Sequence, residues 1–175
     1  MTVLLAMTDR LNKVLLYILA GLLALVSVAV MAQVTVRFVL TTVGINISAP
    51  WTEELARYAL IWMVFLGAGY GMRHTRLISM EFGIQSLPRR FGVPLRYAVL
   101  LLIIAFSALL LKAGLDFVAL GRSETSPVLG ITKDWVYWAM PVGAALLILN
   151  TFAHIADTVI AKRDIRLGAD HSPQD

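Results

Sequence analysis

Charges embedded in apolar stretches are the residues of this chain best placed to do chemistry. In a bilayer each one is costly and so marks a functional hypothesis. The run Trp51-Thr52-Glu53-Glu54-Leu55-Ala56-Arg57 holds three of them. Arg57 follows Glu53 by four residues and Glu54 by three, spacings that meet on one helix face. Thr52 is a candidate cap, and two carboxylates suit the positive end of a helix. Two readings stay open. The segment is either a self-contained helix start whose arginine snorkels outward, or a site where one glutamate pairs within the helix and the other engages a neighbouring subunit. Lys112 and Asp116, again four apart, are expected to neutralise each other as an interfacial ion pair. An ion or proton path is the alternative there, although such a path needs several convergent polar groups.

Other chemistry has little to build on. Cysteine is absent, which excludes disulfides, thiolate metal sites and thiol nucleophiles. His74, His154 and His171 are scattered, whereas a membrane cytochrome needs two facing histidines at depth. No Ser/His/Asp grouping, HExxH motif or phosphate-binding glycine loop occurs. Neither an enzyme nor a bound cofactor or metal is expected.

The elements that must position these residues follow from composition. Of 175 residues 59% are hydrophobic and only 15% charged, with a mean hydropathy of +0.79. Soluble domains carry roughly 45–50% apolar and about 25% charged residues, so the chain is too apolar to be one and too apolar to be disordered. Crossing a hydrocarbon core takes about 20 apolar residues in a helix. Four runs qualify: 14–36, 55–72, 97–120 and 135–156. Backbone groups in lipid must pair internally, and uninterrupted runs of this length, without alternation, exclude barrel strands. The predicted fold is an all-α membrane protein with four transmembrane helices, in a single domain over 1–161 followed by a polar tail, 162–175. The sequence Val30-Met31-Ala32 would tolerate signal cleavage, but the first apolar run exceeds the ~7–15 residues of a signal core, and it is read as a retained span.

Basic residues set the direction. Ten lie on the side of the two termini, namely Arg10, Lys13, Arg73, Arg76, Arg89, Arg90, Arg96, Lys162, Arg163 and Arg166. Four lie opposite: Arg37, Lys112, Arg122 and Lys133. Both termini are therefore expected in the cytoplasm, and Trp51, Trp135, Tyr137 and Trp138 form an outer aromatic belt. The positive charge sits at the ends of apolar runs, so it speaks for a membrane and not for nucleic acid.

Between the second and third spans, Leu77, Met80, Ile84, Leu87 and Phe91 recur every three or four residues, and polar residues fill the rest of the wheel. That pattern predicts a cytoplasmic amphipathic interfacial helix that Pro88 ends or kinks. It rests on lipid headgroups, or it packs against a partner subunit. The loop 123–133 reads as an external turn. Gly67, Gly69 and Gly71 give the second helix a small-residue face, with Gly67 and Gly71 as a GxxxG match. Ser27, Gln33, Asn150 and Thr151 are available for ordinary interhelical hydrogen bonds.

The run WTEELARYALIWMVFLGAGYGMR, followed by RLISMEFGIQSLPRR, resembles the small membrane subunit of tripartite ATP-independent periplasmic (TRAP) transporters, the DctQ-like family. The likeness rests on Trp51, Glu53, Glu54 and Arg57 opening the second helix, the Leu66-Gly67-Ala68 step, and Leu87-Pro88 closing the amphipathic segment. Trp135, Tyr137, Pro141 and Gly143 at the last helix are similar too. Where the family often has His-Ile-x-Val-Asp, this chain reads Leu77-Ile78-Ser79-Met80-Glu81, so no role of that histidine carries over. The resemblance implies a non-catalytic scaffold subunit in a bacterial inner membrane. Its partners would be a larger membrane subunit that moves the substrate and a periplasmic solute-binding protein that delivers it. An ion gradient, usually of sodium, would drive uptake of an organic acid. A self-sufficient four-helix transporter and a haem- or quinone-linked anchor are the alternatives. The first lacks the carboxylate it would need in the first span, and the second lacks histidines.

Overall fold

Apolar runs long enough to cross a bilayer leave the backbone little choice but helix. The computed structural model describes residues 2–40, 42, 49–73 and 89–160. It contains α1 (Thr2–Val34), α2 (Pro50–Arg73), α3 (Arg89–Gly121), the single turn α4 (Asp134–Tyr137) and α5 (Ala139–Ile160). After α1 the chain winds wider over Thr35–Leu40 in a π-helical stretch. Four stretches are apolar and long enough to span a membrane: Ala6–Val39, Pro50–Arg73, Arg90–Gly121 and Asp134–Asp157. Among the described residues there is no strand, only an isolated bridge between Thr125 and Thr132. The amphipathic segment with Leu77, Met80, Ile84 and Leu87 lies outside the described residues, as does the tail 162–175.

The helices run beyond the apolar stretches that announce them. With 33 residues, α1 is about 50 Å long against a hydrocarbon core of about 30 Å. Asp9, Arg10, Asn12 and Lys13 continue it into the polar layer because nothing in them stops a helix. At the other side of the membrane Pro50 opens α2, a position where its missing N–H would have had no helical partner anyway.

Packing gives an open row of helices. One side of α2 lies along α1 and the other along α5, and α5 in turn lies along α3. Among the described residues the backbones of α1 and α3 do not come together. In the most apolar window of Asp134–Asp157, 44% of residues are buried, against 11% for Ala6–Val39, so the last span is the hub and the first an edge. The outward faces of α1 and α3 carry Tyr17, Val28, Leu101, Phe106 and Leu109, all more than half exposed. In water such faces would aggregate. In a bilayer they meet lipid or another subunit.

The α2–α5 seam is tight because two glycines sit in it. A Cβ on Gly143 would lie 2.6 Å from the Cβ of Phe65, and one on Gly69 would lie 2.9 Å from the Cβ of Leu146. The GxxxG pair is not what brings the helices together: Gly71 has nothing within 4 Å of its virtual Cβ, and Gly67 only Leu19 at 3.9 Å. Gly71→Ala should therefore leave thermal stability in detergent equal to wild type or slightly raised, since Ala is the better helix former by about 1 kcal/mol. A clear loss of stability would show that Gly71 is in contact with something outside this chain.

Candidate functional site: polar clamps at both ends of the helix row

At one end of the row stands the entry to α2. Because Pro50 starts the helix, Thr52 falls inside the first turn and not at the cap. Its hydroxyl donates to the Ala49 carbonyl at 2.7 Å, and its side chain is buried. Trp51 is half exposed beside it. The two glutamates then part company. Glu53 pairs with Arg57 at 2.9 Å, with both side chains at least 60% exposed, a pair of the kind worth about 0.2–1 kcal/mol. Glu54 turns the other way. Its Oε1 accepts from the Tyr58 hydroxyl at 2.6 Å, and its Oε2 accepts from the Leu129 backbone amide at 3.0 Å.

Leu129 belongs to the loop 122–133, which is more ordered than a plain turn. Ser126 N donates to Ile131 O at 2.8 Å, Lys133 N to Glu124 O at 2.9 Å and Gly130 N to Ser126 O at 3.1 Å. Gly130, at φ 68°, adopts the left-handed conformation that closes the loop. Lys133 bonds Glu124 at 3.0 Å. That bond holds the Glu124 carboxyl below its ordinary pKa and the Lys133 ammonium above its own. Glu54 thus fastens the loop between α3 and α4 to the start of α2.

This arrangement separates the effects of the three charges. Glu54→Ala should speed hydrogen exchange at the Leu129 amide and loosen the 122–133 loop to protease, whereas Arg57→Ala should change neither. Exchange measured by mass spectrometry on the two variants checks the contrast. Equal rates in both would detach Glu54 from the loop.

On α3, Lys112 and Asp116 are both exposed and, among the described residues, no ion pair joins them. The expected interfacial pair is thus not formed. Four-residue spacing puts two side chains on one face, but an exposed pair gains too little to hold them together.

The opposite end, where α1 begins and α5 ends, carries a denser set of polar contacts that the spacing of neighbouring residues did not suggest. Asn12 and Asn150 are buried and exchange hydrogen bonds. Asn12 Nδ2 donates to Asn150 Oδ1 at 2.7 Å, and Asn150 Nδ2 donates back to Asn12 Oδ1 at 3.2 Å. Their remaining donor capacity goes to the Thr8 carbonyl at 2.8 Å and the Gly69 carbonyl at 2.9 Å. One amide pair therefore ties α1, α2 and α5 together. Gly69 serves twice, letting the helices close and offering its carbonyl.

At the same end Arg73 reaches Asp9 through Nη2 at 2.9 Å and Nε at 3.1 Å, and Asp157 through Nη1 at 3.5 Å. Arg73 is only 12% exposed, while both carboxylates keep contact with solvent. His154 and Arg96 are buried beside this group. The signal that finds the cluster is topological. Alternating helices bring the start of the first span, the end of the second and the end of the fourth to one side, so Asp9, Arg73 and Asp157 must face one another or lipid. Among the described residues no group of three His, Asp or Glu side chains could hold a metal ion. Hydrogen bonds and ion pairs that lock helices together are what this geometry provides.

Residues 26–160 match the family described as tripartite ATP-independent periplasmic transporters, DctQ component. A Haemophilus influenzae protein named as a TRAP transporter small permease protein is 24% identical over 85% of this chain and 89% of its own length. The C4-dicarboxylate TRAP transporter small permease protein DctQ of Rhodobacter capsulatus is 29% identical, over 79% of this chain and 72% of its own. In the isethionate TRAP transporter permease protein DctMQ of Oleidesulfovibrio alaskensis the match is 24% identical and takes in 82% of this chain but only 23% of that longer one. With four membrane-length helices in the structure and the family match running over most of them, this chain belongs to the DctQ family of TRAP transporter small permease subunits.

Proposed function

We propose that this subunit braces a larger membrane subunit, which carries an organic acid inward with a sodium gradient after a periplasmic solute-binding protein delivers it. The observation that carries the reading is the open helix row. Its internal contacts are locked at both ends by Glu54 and by the Asn12–Asn150 and Arg73 clusters, yet large apolar faces on α1 and α3 remain uncovered. A rigid plate with free apolar faces suits a scaffold. The longer relative named DctMQ, of which this chain spans 23%, supports a partner held close by. An organic acid is inferred because two relatives are named for C4-dicarboxylate and isethionate, both organic anions.

In this reading the protein sits in the bacterial inner membrane with both termini cytoplasmic, as the ten-to-four division of basic residues favours. Leu77, Met80, Ile84 and Leu87 face the larger subunit, and the exposed Glu53 and Arg57 lie free to meet it as well. Co-purification tests the assignment. Wild type should bring down the larger subunit in mild detergent, Ile84→Glu should release it, and reporters fused after residue 175 and within 76–90 should be cytoplasmic. An intact complex with Ile84→Glu would remove the segment from the interface, and a periplasmic C-terminus would overturn the topology.

A further inference from the structure

Arg10 and Lys13 stand three residues apart on α1, both exposed, and neither has a carboxylate partner among the described residues. Asp9, the nearest acidic group in sequence, is engaged by Arg73. Beside Arg10 a groove of about 560 Å³ runs between α1 and α5, lined by Met7, Thr8, Arg10, Leu11, Val14 and Leu149. Val14 lies four residues past Arg10, about 6 Å deeper along the helix axis. The groove therefore has a cation at its polar end and hydrocarbon beyond. Asn12 and Asn150 bond directly alongside it, so the furrow lies between helices that touch.

We propose that this furrow holds one anionic phospholipid, with an acyl chain along Leu11, Val14 and Leu149 and the phosphate on Arg10. Charge complementarity selects the occupant. The unpaired guanidinium of Arg10 lining the groove favours a headgroup with net negative charge over a zwitterionic one, whose ammonium offsets its phosphate. Lys13 faces a separate hollow with Asp9, Asn12, Leu16 and Tyr70. Guanidinium also presents a planar fork of donors that a phosphate can accept in pairs. The inference rests on the membrane embedding of the chain and not on the transport reading, so uptake is not its readout.

Native mass spectrometry of the intact, delipidated protein tests it, with phosphatidylglycerol and phosphatidylethanolamine of identical acyl chains titrated separately. Wild type should bind one phosphatidylglycerol per chain about fivefold more tightly than phosphatidylethanolamine, the scale of one basic side chain near an anionic headgroup. Arg10→Gln should abolish that preference and Arg10→Lys should keep most of it. Leu149→Trp, which fills the furrow without touching the charge, should weaken both lipids. If Arg10→Gln does not fold, the Leu149→Trp arm still decides the matter. Equal binding of the two lipids by wild type, a preference that survives Arg10→Gln, or binding indifferent to Leu149→Trp would each overturn the proposal.

Discussion

Asn150→Leu is expected to lower the stability of the helix row by about 2–4 kcal/mol, the most damaging single change to its polar contacts. The substitution removes the bond to the Gly69 carbonyl and both bonds exchanged with Asn12. What remains is worse than a simple loss. Asn12, 2% exposed, keeps only the Thr8 carbonyl for a side chain with an acceptor and two donors. Interhelical hydrogen bonds in membranes average only about 0.6 kcal/mol and rarely exceed about 2, so the stranded Asn12 supplies much of the cost. The double variant Asn12→Leu/Asn150→Leu should consequently be less damaged than the sum of the singles, with a coupling of about 0.5–3 kcal/mol. Reversible unfolding in mixed detergent gives all four corners of that cycle. Additive effects would show that the two amides do not act as a pair.

Gly143→Ala should be nearly as harmful for a different reason. The new methyl would stand 2.6 Å from the Phe65 Cβ and 2.7 Å from the Phe65 carbonyl oxygen. Neither atom belongs to the flexible end of a side chain, and the oxygen is backbone, so no shortening of the Phe65 side chain relieves the clash. The helices must part instead, at a cost in the range of about 1–3 kcal/mol for overpacking. Parting them also draws the Gly69 carbonyl away from Asn150, so damage at the seam spreads to the amide clamp. The chain has no cysteine, and an engineered cysteine pair across α2 and α5 would therefore report the separation without background. Crosslinking should fall in Gly143→Ala and stay at the wild-type level in Gly71→Ala. Unchanged crosslinking in both would mean the seam is looser than described.

The contrast between these glycines shows where sequence reading stops. Spans are legible because bilayer thickness imposes a length on apolar runs, and all four emerge from hydropathy alone. Rotation of a helix about its axis is not legible in the same way. Gly69 is two residues from both Gly67 and Gly71, about 200° around the helix, and hydropathy does not say which side meets α5. Element ends are also invisible to it. α1 begins at Thr2, ahead of the polar step 8–13, and α2 begins at Pro50, ahead of its apolar run, and the hydropathy of the spans marks neither start.

Polar partners divide along similar lines. Glu53 and Arg57 meet because helical spacing requires it. Glu54 finds the Leu129 amide, and a backbone donor carries no side-chain signal that a sequence could display. Asp9, Arg73 and Asp157 were within reach of the topology, which places all three at one end, but charges counted only for sidedness lose their pairing. Lys112 and Asp116 illustrate the converse, a favourable spacing whose exposure leaves it without a bond.

The proposed scaffold role predicts that this chain transports nothing alone. The most direct measurement is uptake of a radiolabelled C4-dicarboxylate or other organic acid into proteoliposomes, with its binding protein outside and an inward sodium gradient imposed. Vesicles with this chain alone should show no uptake above empty ones, vesicles with both membrane subunits should accumulate substrate, and collapsing the gradient should stop them. Substrate accumulation by this chain without the larger subunit would contradict the account.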